Sequence, residues 1–303
     1  MATHSQVPNT VNAELTHTTT IAAQRPRRQL TRIGIWQVVP VVFGVIWLIF
    51  AFYPILYMLF TSLRRQQDLF TDAPWSFPSH PTLENYANVL ENGFFTFFAN
   101  TLFVTVVSVF VIVIVSLLAA YAISQARNPY TRIVFQFFLL GLAIPLQATI
   151  IPIYAIVTSL HLYDTLIALI LPSIAFGIPL SILVLVTYIR DIPHELHESM
   201  LLDGATHRHI LYSLVIPLSR PAIITVIIYE TIQVWTSYLF PLVLTQSQSV
   251  AVLPLSLANF RGQFTTNVPA ILAAVFLSAA PIILLYVFGR RQLLGGLVAG
   301  FSK

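Results

Sequence analysis

Glu230 is the residue whose setting most demands a chemical explanation, because it stands inside a long apolar run. Gln233 and Ser237 follow three and seven positions on, so the three share one face of a helix. Carboxylate, amide and hydroxyl at that spacing can hydrogen-bond a polar solute, and the neighbouring Tyr238 adds a phenol. Glu230 lies nine residues past Pro221. That is about 13 Å along a helix, roughly midway through a hydrocarbon core of about 30 Å. A carboxylate there costs about 2.5–3.5 kcal/mol on insertion scales, so it should face a polar cavity or a partner. Two readings follow. Glu230, Gln233, Ser237 and Tyr238 line a solute pathway, or a protonated Glu230 bonds a neighbouring helix and holds a bundle together. Trp235 can stack on a ring-shaped solute or pack between helices. Asn100, Gln147 and Tyr154 are further pathway candidates whose alternative role is packing glue.

A second cluster of ionisable residues lies from Arg190 to Pro221, RDIPHELHESMLLDGATHRHILYSLVIPLSRP, a polar island between apolar runs. Pro193 can open a helix at its first turn, where a missing N–H costs nothing. That helix should run through Leu202, and Gly204 should end it in a left-handed conformation. Thr206 should then cap a second helix continuing toward Ile216 and Pro217. Leu196 and Met200 on the first helix, with Ile210, Leu211 and Leu214 on the second, fall near three-to-four spacing and form the packing face. His194, Glu195, His197 and Glu198 are expected on the wet face. Such a segment is a docking surface rather than a loop.

The elements that position both clusters are membrane spans. The chain has 303 residues, 57% hydrophobic and 9% charged, with a mean hydropathy of +0.81. A soluble domain would carry roughly a quarter charged residues. Apolar runs long enough for a bilayer occur near 33–60, 95–123, 133–157, 165–189, 214–244 and 268–289. They predict an all-α polytopic membrane protein of six spanning helices. Their continuity argues against a barrel, whose strands alternate. The short link from Ser159 to Asp164 predicts that the third and fourth spans form a tight antiparallel pair. Prolines at 145, 152, 172, 179, 217, 241 and 281 are expected bending points, tolerated where neighbouring helices satisfy the freed carbonyls.

Basic residues orient the bundle, since cytoplasmic loops retain Lys and Arg. With both termini inside, twelve of the fifteen fall there: Arg25, Arg27, Arg28, Arg32, Arg127, Arg132, Arg190, Arg208, Arg220, Arg290, Arg291 and Lys303. Arg64, Arg65 and Arg261 remain outside, with Asp68, Asp72, Glu84 and Glu91 in the first outer loop. The island from Arg190 is therefore cytoplasmic. The net charge of +4 is mostly this topology signal and gives no basis for nucleic-acid binding. Residues 1–32 read as a basic, disordered cytoplasmic tail, 33–290 as the transmembrane domain with its loop at 190–217, and 291–303 as a cytoplasmic tail. The first apolar run is too long for a signal peptide and lacks a cleavage context. Cysteine is absent, which excludes disulfides and thiolate chemistry.

The island resembles the coupling loop of the inner-membrane permeases of binding-protein-dependent ABC importers. Their signature runs Glu-Ala-Ala, three residues, Gly, nine residues, Ile-x-Leu-Pro. Here it is matched by Glu198, Gly204 and Leu214-x-Ile216-Pro217, with Asp203-Gly204-Ala205 also typical and Ser199 and Met200 in place of the alanines. From about residue 33 onward the chain is similar to the carbohydrate branch, the maltose and glycerol-phosphate type. Asn100-Thr101-Leu102, Ala119-Ala120-Tyr121-Ala122, Ile144-Pro145, Ile151-Pro152-Ile153-Tyr154, Leu253-Pro254-Leu255 and the tail from Gly295 carry that similarity. The family's Trp-Asn-x-x-Leu-x-Pro-Leu reads Trp235-Thr236-Ser237-Tyr238-Leu239-Phe240-Pro241-Leu242, with Thr236 replacing the amide.

The resemblance implies a division of labour on the cytoplasmic membrane of a prokaryote. Two permease subunits, here a pair of different homologous chains, form the pathway; a dimer of cytoplasmic ATP-binding subunits powers it; an extracytoplasmic binding protein delivers a carbohydrate-like solute. It also implies that Glu195, Glu198, Asp203, Gly204, Ala205 and Pro217 form the contact with the ATPase. No Gly-x-x-x-x-Gly-Lys-[Ser/Thr] phosphate loop occurs in the chain. ATP and magnesium are thus expected on the partner, with no cofactor and no catalysis on this subunit. The paired His194 and His197, near His207 and His209, suggest zinc, but no carboxylate–histidine motif accompanies them and no metal is expected. The rival is a secondary transporter driven by an ion gradient through Glu230.

Overall fold

The computed structural model describes residues 35–126, 128–257 and 266–301, with side chains between 38 and 289. The proposed tail at 1–32, Arg127, Arg261 and Lys303 lie outside the described residues, as do the side chains of Arg290 and Arg291. In chain order the α-helices are α1 (Ile35–Ser62), α2 (Glu84–Val89), α3 (Phe95–Gln125), α4 (Pro129–Leu140), α5 (Ile150–Ser159), α6 (Leu166–Arg190), α7 (His194–Leu202), α8 (His207–Ile210), α9 (Ile216–Leu218), α10 (Arg220–Trp235), α11 (Leu239–Leu244), α12 (Leu253–Ser256) and α13 (Val268–Phe301). Every regular element among the described residues is helical, as the unbroken apolar runs require.

Two compact units divide the chain within α1, residues 1–51 and 52–303. In the first, Val39, Phe43, Trp47 and Phe50 are exposed, the surface an apolar helix offers to hydrocarbon. In the second, α3 lies along α6, and α10 packs against both α3 and α13. At one end of this unit Leu117, Ala120 and Ile123 of α3 meet Leu185, Val186 and Ile189 of α6 and Ile210 and Val215 of the polar island. At the other end Val104, Leu169, Phe240, Leu244 and Val252 form a second buried cluster.

Among the described residues four helical stretches are long and apolar enough to span a bilayer, and the number is six if two bent pairs each count as one span. The two bends fall at or beside Pro145 and Pro217, two of the expected bending points. The third predicted span, 133–157, is two arms, Pro129–Ala143 and Leu146–Ser159, meeting at 91°. Pro145 causes the break: it lacks an N–H and drives Ile144 into extended backbone, φ −80°, ψ 114°. The expected pairing of the third span with α6 is made by α4, whereas α5 meets α11. The fifth predicted span, 214–244, bends by 74° between Leu218 and Arg220 and loses its helix again from Thr236 to Tyr238. By contrast, Pro172 and Pro179 lie within an unbroken α6 and Pro281 within an unbroken α13. The last helix runs on to Phe301, so residues 291–301 continue the final span as helix.

The end of the unit away from the polar island is latched by side chains. Asp164, at φ +59°, accepts the backbone N–H groups of Gln246 (2.8 Å) and Ser247 (2.9 Å) and the Ser247 hydroxyl, while its own N–H donates to Leu244 O at 2.9 Å. These bonds, led by that from Gln246, hold its carboxyl below the usual range. Asn100 donates to the carbonyls of Ser249 (2.8 Å) and Ala251 (2.9 Å) in the same loop. Arg64, 1% exposed, donates to the Ala73 and Ser76 carbonyls at 2.7 and 2.6 Å and so folds the loop after α1 over its guanidinium.

Candidate functional site

Glu230, Gln233 and Ser237 do line one cavity, of about 190 Å³, between α10 and α6. Ser173, Gly177 and Leu180 of α6 form its opposite wall, and Leu142 and Leu146, flanking the Ile144-Pro145 bend, close a side. The break in the third span therefore makes part of the cavity. Glu230 is 3% exposed and accepts the Ser181 hydroxyl at 3.1 Å, so features of both readings coexist: a helix-bridging bond and a polar lining. Gly177 makes room for it. A Cβ on that glycine would lie 2.5 Å from Ile112 Cδ1 and 2.7 Å from Glu230 Oε2, closer than real contacts allow.

The other pathway candidates are placed elsewhere. Trp235 is buried, donates its indole N–H to Ser278 O at 3.0 Å and meets Phe98 edge-on; its face is used for packing. Asn100 serves the loop latch described above. Tyr238 and Tyr154 are exposed, the latter edge-on to Tyr163, and Gln147 is exposed on the short turn after the bend. None of these five lines the Glu230 cavity. Sequence reasoning missed Ser173, Gly177 and Ser181, though a signal existed: small residues recur every fourth position along α6, the stripe that lets membrane helices approach closely.

The polar island forms the expected two helices. α7 ends at Leu202 and Gly204 adopts φ +80°. The Gly204 N–H donates to Leu201 O (3.0 Å) and the Ala205 N–H to Met200 O (2.9 Å), a Schellman stop that satisfies two terminal carbonyls. Thr206 Oγ1 accepts the His209 N–H at 3.3 Å and caps α8. The second helix widens into a π turn at Leu211–Val215 before Pro217 in α9. Met200, Ile210, Leu211 and Leu214 pack on the end of α3 and α6 as expected, and Ala205, expected at the ATPase contact, packs there too.

Two residues of α7 exchange the faces expected of them. His197 is buried, 3% exposed, and Leu196 is exposed. His197 and Met200, three apart, turn inward together, with Met200 packed against the end of α3 and α6. Burial holds the His197 imidazole below its ordinary range; the Pro193 carbonyl opposes this and His194, ring centroids 6.1 Å apart, adds to it. The outward face carries Glu195, Glu198 and Asp203 with the exposed Leu196, Leu201 and Leu202, the last at 88%. Carboxylates interleaved with bare leucines suit a protein contact rather than water. Among the described residues no group of three His, Asp or Glu could hold a metal.

Residues 112–292 match the family described as binding-protein-dependent transport system inner membrane component. The chain belongs to this family. A putative ABC transporter permease protein of Caldicellulosiruptor sp. (strain Rt8B.4) is 37% identical over 262 residues, 86% of this chain and 95% of that one. The trehalose transport system permease protein SugB of Mycobacterium tuberculosis is 30% identical over 229 residues, 75% and 84% of the two chains. A chain of a bacterial ABC transporter that imports the acidic polysaccharide alginate shares the fold, with a TM-score of 0.75 at 24% identity over 85% of this chain and 96% of that one. The permease is thus a multi-pass membrane protein whose matched region spans both the Glu230 cavity and the two-helix island.

Proposed function

We propose that this permease is one of a pair of homologous but different chains forming the pathway of an ATP-driven ABC importer for a carbohydrate or related solute. The observation that carries this reading is the island after α6. Its helix–Schellman stop–helix frame holds Glu195, Glu198 and the exposed leucines outward, as a surface that must meet a partner. That partner is a dimer of cytoplasmic ATPases, which hold ATP and magnesium, while this subunit holds no cofactor and catalyses nothing. An extracytoplasmic binding protein hands over the solute. The twelve-to-three distribution of basic residues supports cytoplasmic termini in a prokaryotic plasma membrane. Permease relatives named for trehalose and diacetylchitobiose support a sugar as the cargo.

In the mechanism, closure of the two ATPases draws the α7–α8 segments together. Since α8 and the π turn pack on the ends of α3 and α6, that movement is passed to the helices whose inner walls carry Ser173 and, through α10, Glu230. The cavity then opens alternately to each side. Family membership gives no support to an ion-gradient engine at Glu230. Glu198→Arg tests the reading: in proteoliposomes with the full complex and binding protein, uptake should fall to background while the chain still inserts. Wild-type uptake by that variant, or uptake by this chain without any ATPase, would overturn it.

A further inference from the structure

A second cavity, of about 710 Å³, lies at the end of the bundle that carries α7, between the end of α3, one side of α4, the end of α6 and His194. Nothing in the transport cycle described above uses it. Its lining is cationic on one side. Arg132 and Arg190 both border it, and the Arg190 guanidinium lies over the Phe135 ring at 5.2 Å. Among the described residues neither arginine is in an ion pair, and no carboxylate lines the cavity.

An independent observation points to a missing acceptor. Ser124, 9% exposed, borders the same cavity, and its hydroxyl has no hydrogen-bond partner. Two other polar liners are already committed. Asn128 accepts the Thr131 N–H, and the Thr131 hydroxyl donates to the backbone of Ala126 and Asn128. Besides the Gln136 amide and the His194 ring, what remains is two guanidinium forks and a buried hydroxyl with no acceptor, a set that suits a phosphate. The rest of the wall is apolar, Ile123, Phe135 and Leu139, and α4 beside it exposes Ile133, Phe137 and Leu140. A free phosphate has no use for that surface, whereas an acyl chain does.

We propose that this cavity seats an anionic phospholipid, its phosphate on Arg132, Arg190 and Ser124 and its chains along Phe135, Leu139 and the exposed side of α4. Because His194 opens α7 at the cavity's edge, the bound lipid braces the docking segment against α4 and α6. Binding itself does not depend on the importer reading; only its assignment to the cytoplasmic leaflet does.

The test is native mass spectrometry of the full-length permease, alone and with its partner subunits, exchanged into detergent containing phosphatidylglycerol or phosphatidylcholine. Phosphatidylglycerol should be retained preferentially. With each arginine near a headgroup supplying a separate attraction, R132Q/R190Q should retain roughly tenfold less or lower still. S124A should show a smaller loss, and R220Q, an exposed arginine at the same end outside the cavity, none. Equal thermal unfolding of variants and wild type keeps misfolding apart from lost binding. Retention by R132Q/R190Q equal to wild type would overturn the proposal, as would displacement of the lipid by millimolar inorganic phosphate, which would make the site one for a soluble anion. Loss of lipid on adding the partner subunits would also overturn it, since a protein would then fill the cavity. If no ATPase joins the complex, the importer reading fails while the lipid measurement on the chain alone still stands.

Discussion

Glu198 and Glu230 are the same residue type in two regions that treat it oppositely. Glu198 stands exposed on α7, where a capped, glycine-stopped frame presents it outward. Glu230 is buried in α10, bonded to Ser181 and pressed against Gly177. In the first region local backbone chemistry does the positioning and solvent, or a partner, satisfies the acid. In the second, a neighbouring helix must be shaped around the acid before it can be accommodated. The lesson is that a docking surface can be written within one stretch of chain, whereas an intramembrane polar site needs two helices written for each other.

Disturbing α6 should break the buried half of this contrast most severely. Gly177→Val places branched carbons where Ile112 and Glu230 already sit. Overpacking of this kind costs about 1–3 kcal/mol, and uptake should fall to background with a clear drop in detergent thermal stability. Normal uptake and stability would mean that α6 and α10 are not held this closely.

Next in size is the bond itself. Glu230→Leu leaves the buried Ser181 hydroxyl without its partner at a cost of about 1–3 kcal/mol, while Glu230→Gln keeps an acceptor there. Unfolding measurements should separate the two variants. If Glu230→Gln is as stable as wild type but transports several-fold less, the solute senses the carboxylate; equal transport would confine Glu230 to bundle packing.

Gly204→Ala sharpens the exposed half. A Cβ there would touch nothing within 4 Å, so the φ of +80° is the whole difficulty. The cost should be about 1 kcal/mol of backbone strain. ATP hydrolysed per solute moved should rise because the docking angle shifts, with insertion unchanged. An unaltered coupling ratio would show that the angle is not critical.

The smallest effect concerns His197. Its folded pKa is depressed by burial, so below its ordinary value of about 6.5 the unfolded segment binds the proton more readily than the folded one. The stability it contributes is therefore full above that value and is lost as pH falls through it toward the lower folded pKa. Amide protection factors across residues 194–202, with the intrinsic pH dependence of exchange divided out, should be lower at about pH 5.5 than at about pH 7.5, and His197→Leu should remove the difference. An unchanged difference in that variant would assign it to other groups.

Where a feature depends on neighbours in sequence, the chain was legible. The end of α7 at Leu202, the left-handed Gly204 and the Thr206 cap follow from residue types within a few positions. The shared face of Glu230, Gln233 and Ser237 follows from helical period alone. The inward turn of His197 does not, because Leu196 with Met200 and His197 with Met200 fit a helical stripe equally well, and only the packing of Met200 against the α3–α6 end chooses. Likewise Trp235 and Asn100 carry no local mark of the partners that claim them, Ser278 O at a separation of 43 residues and Ala251 O at 151.

By itself the sequence determined that this chain lives in a membrane, that its regular structure is helical, and where its docking helices start and stop. Each of these is a matter of hydropathy, period or the conformational freedom of single residues. Which proline breaks a span only the tertiary structure decided. Pro145 bends the chain by 91° while Pro172 and Pro179 ride inside a continuous α6. A proline always removes one N–H, but whether the helix survives depends on whether neighbouring helices hold it together, and α6, buried against α3 along its length, is held.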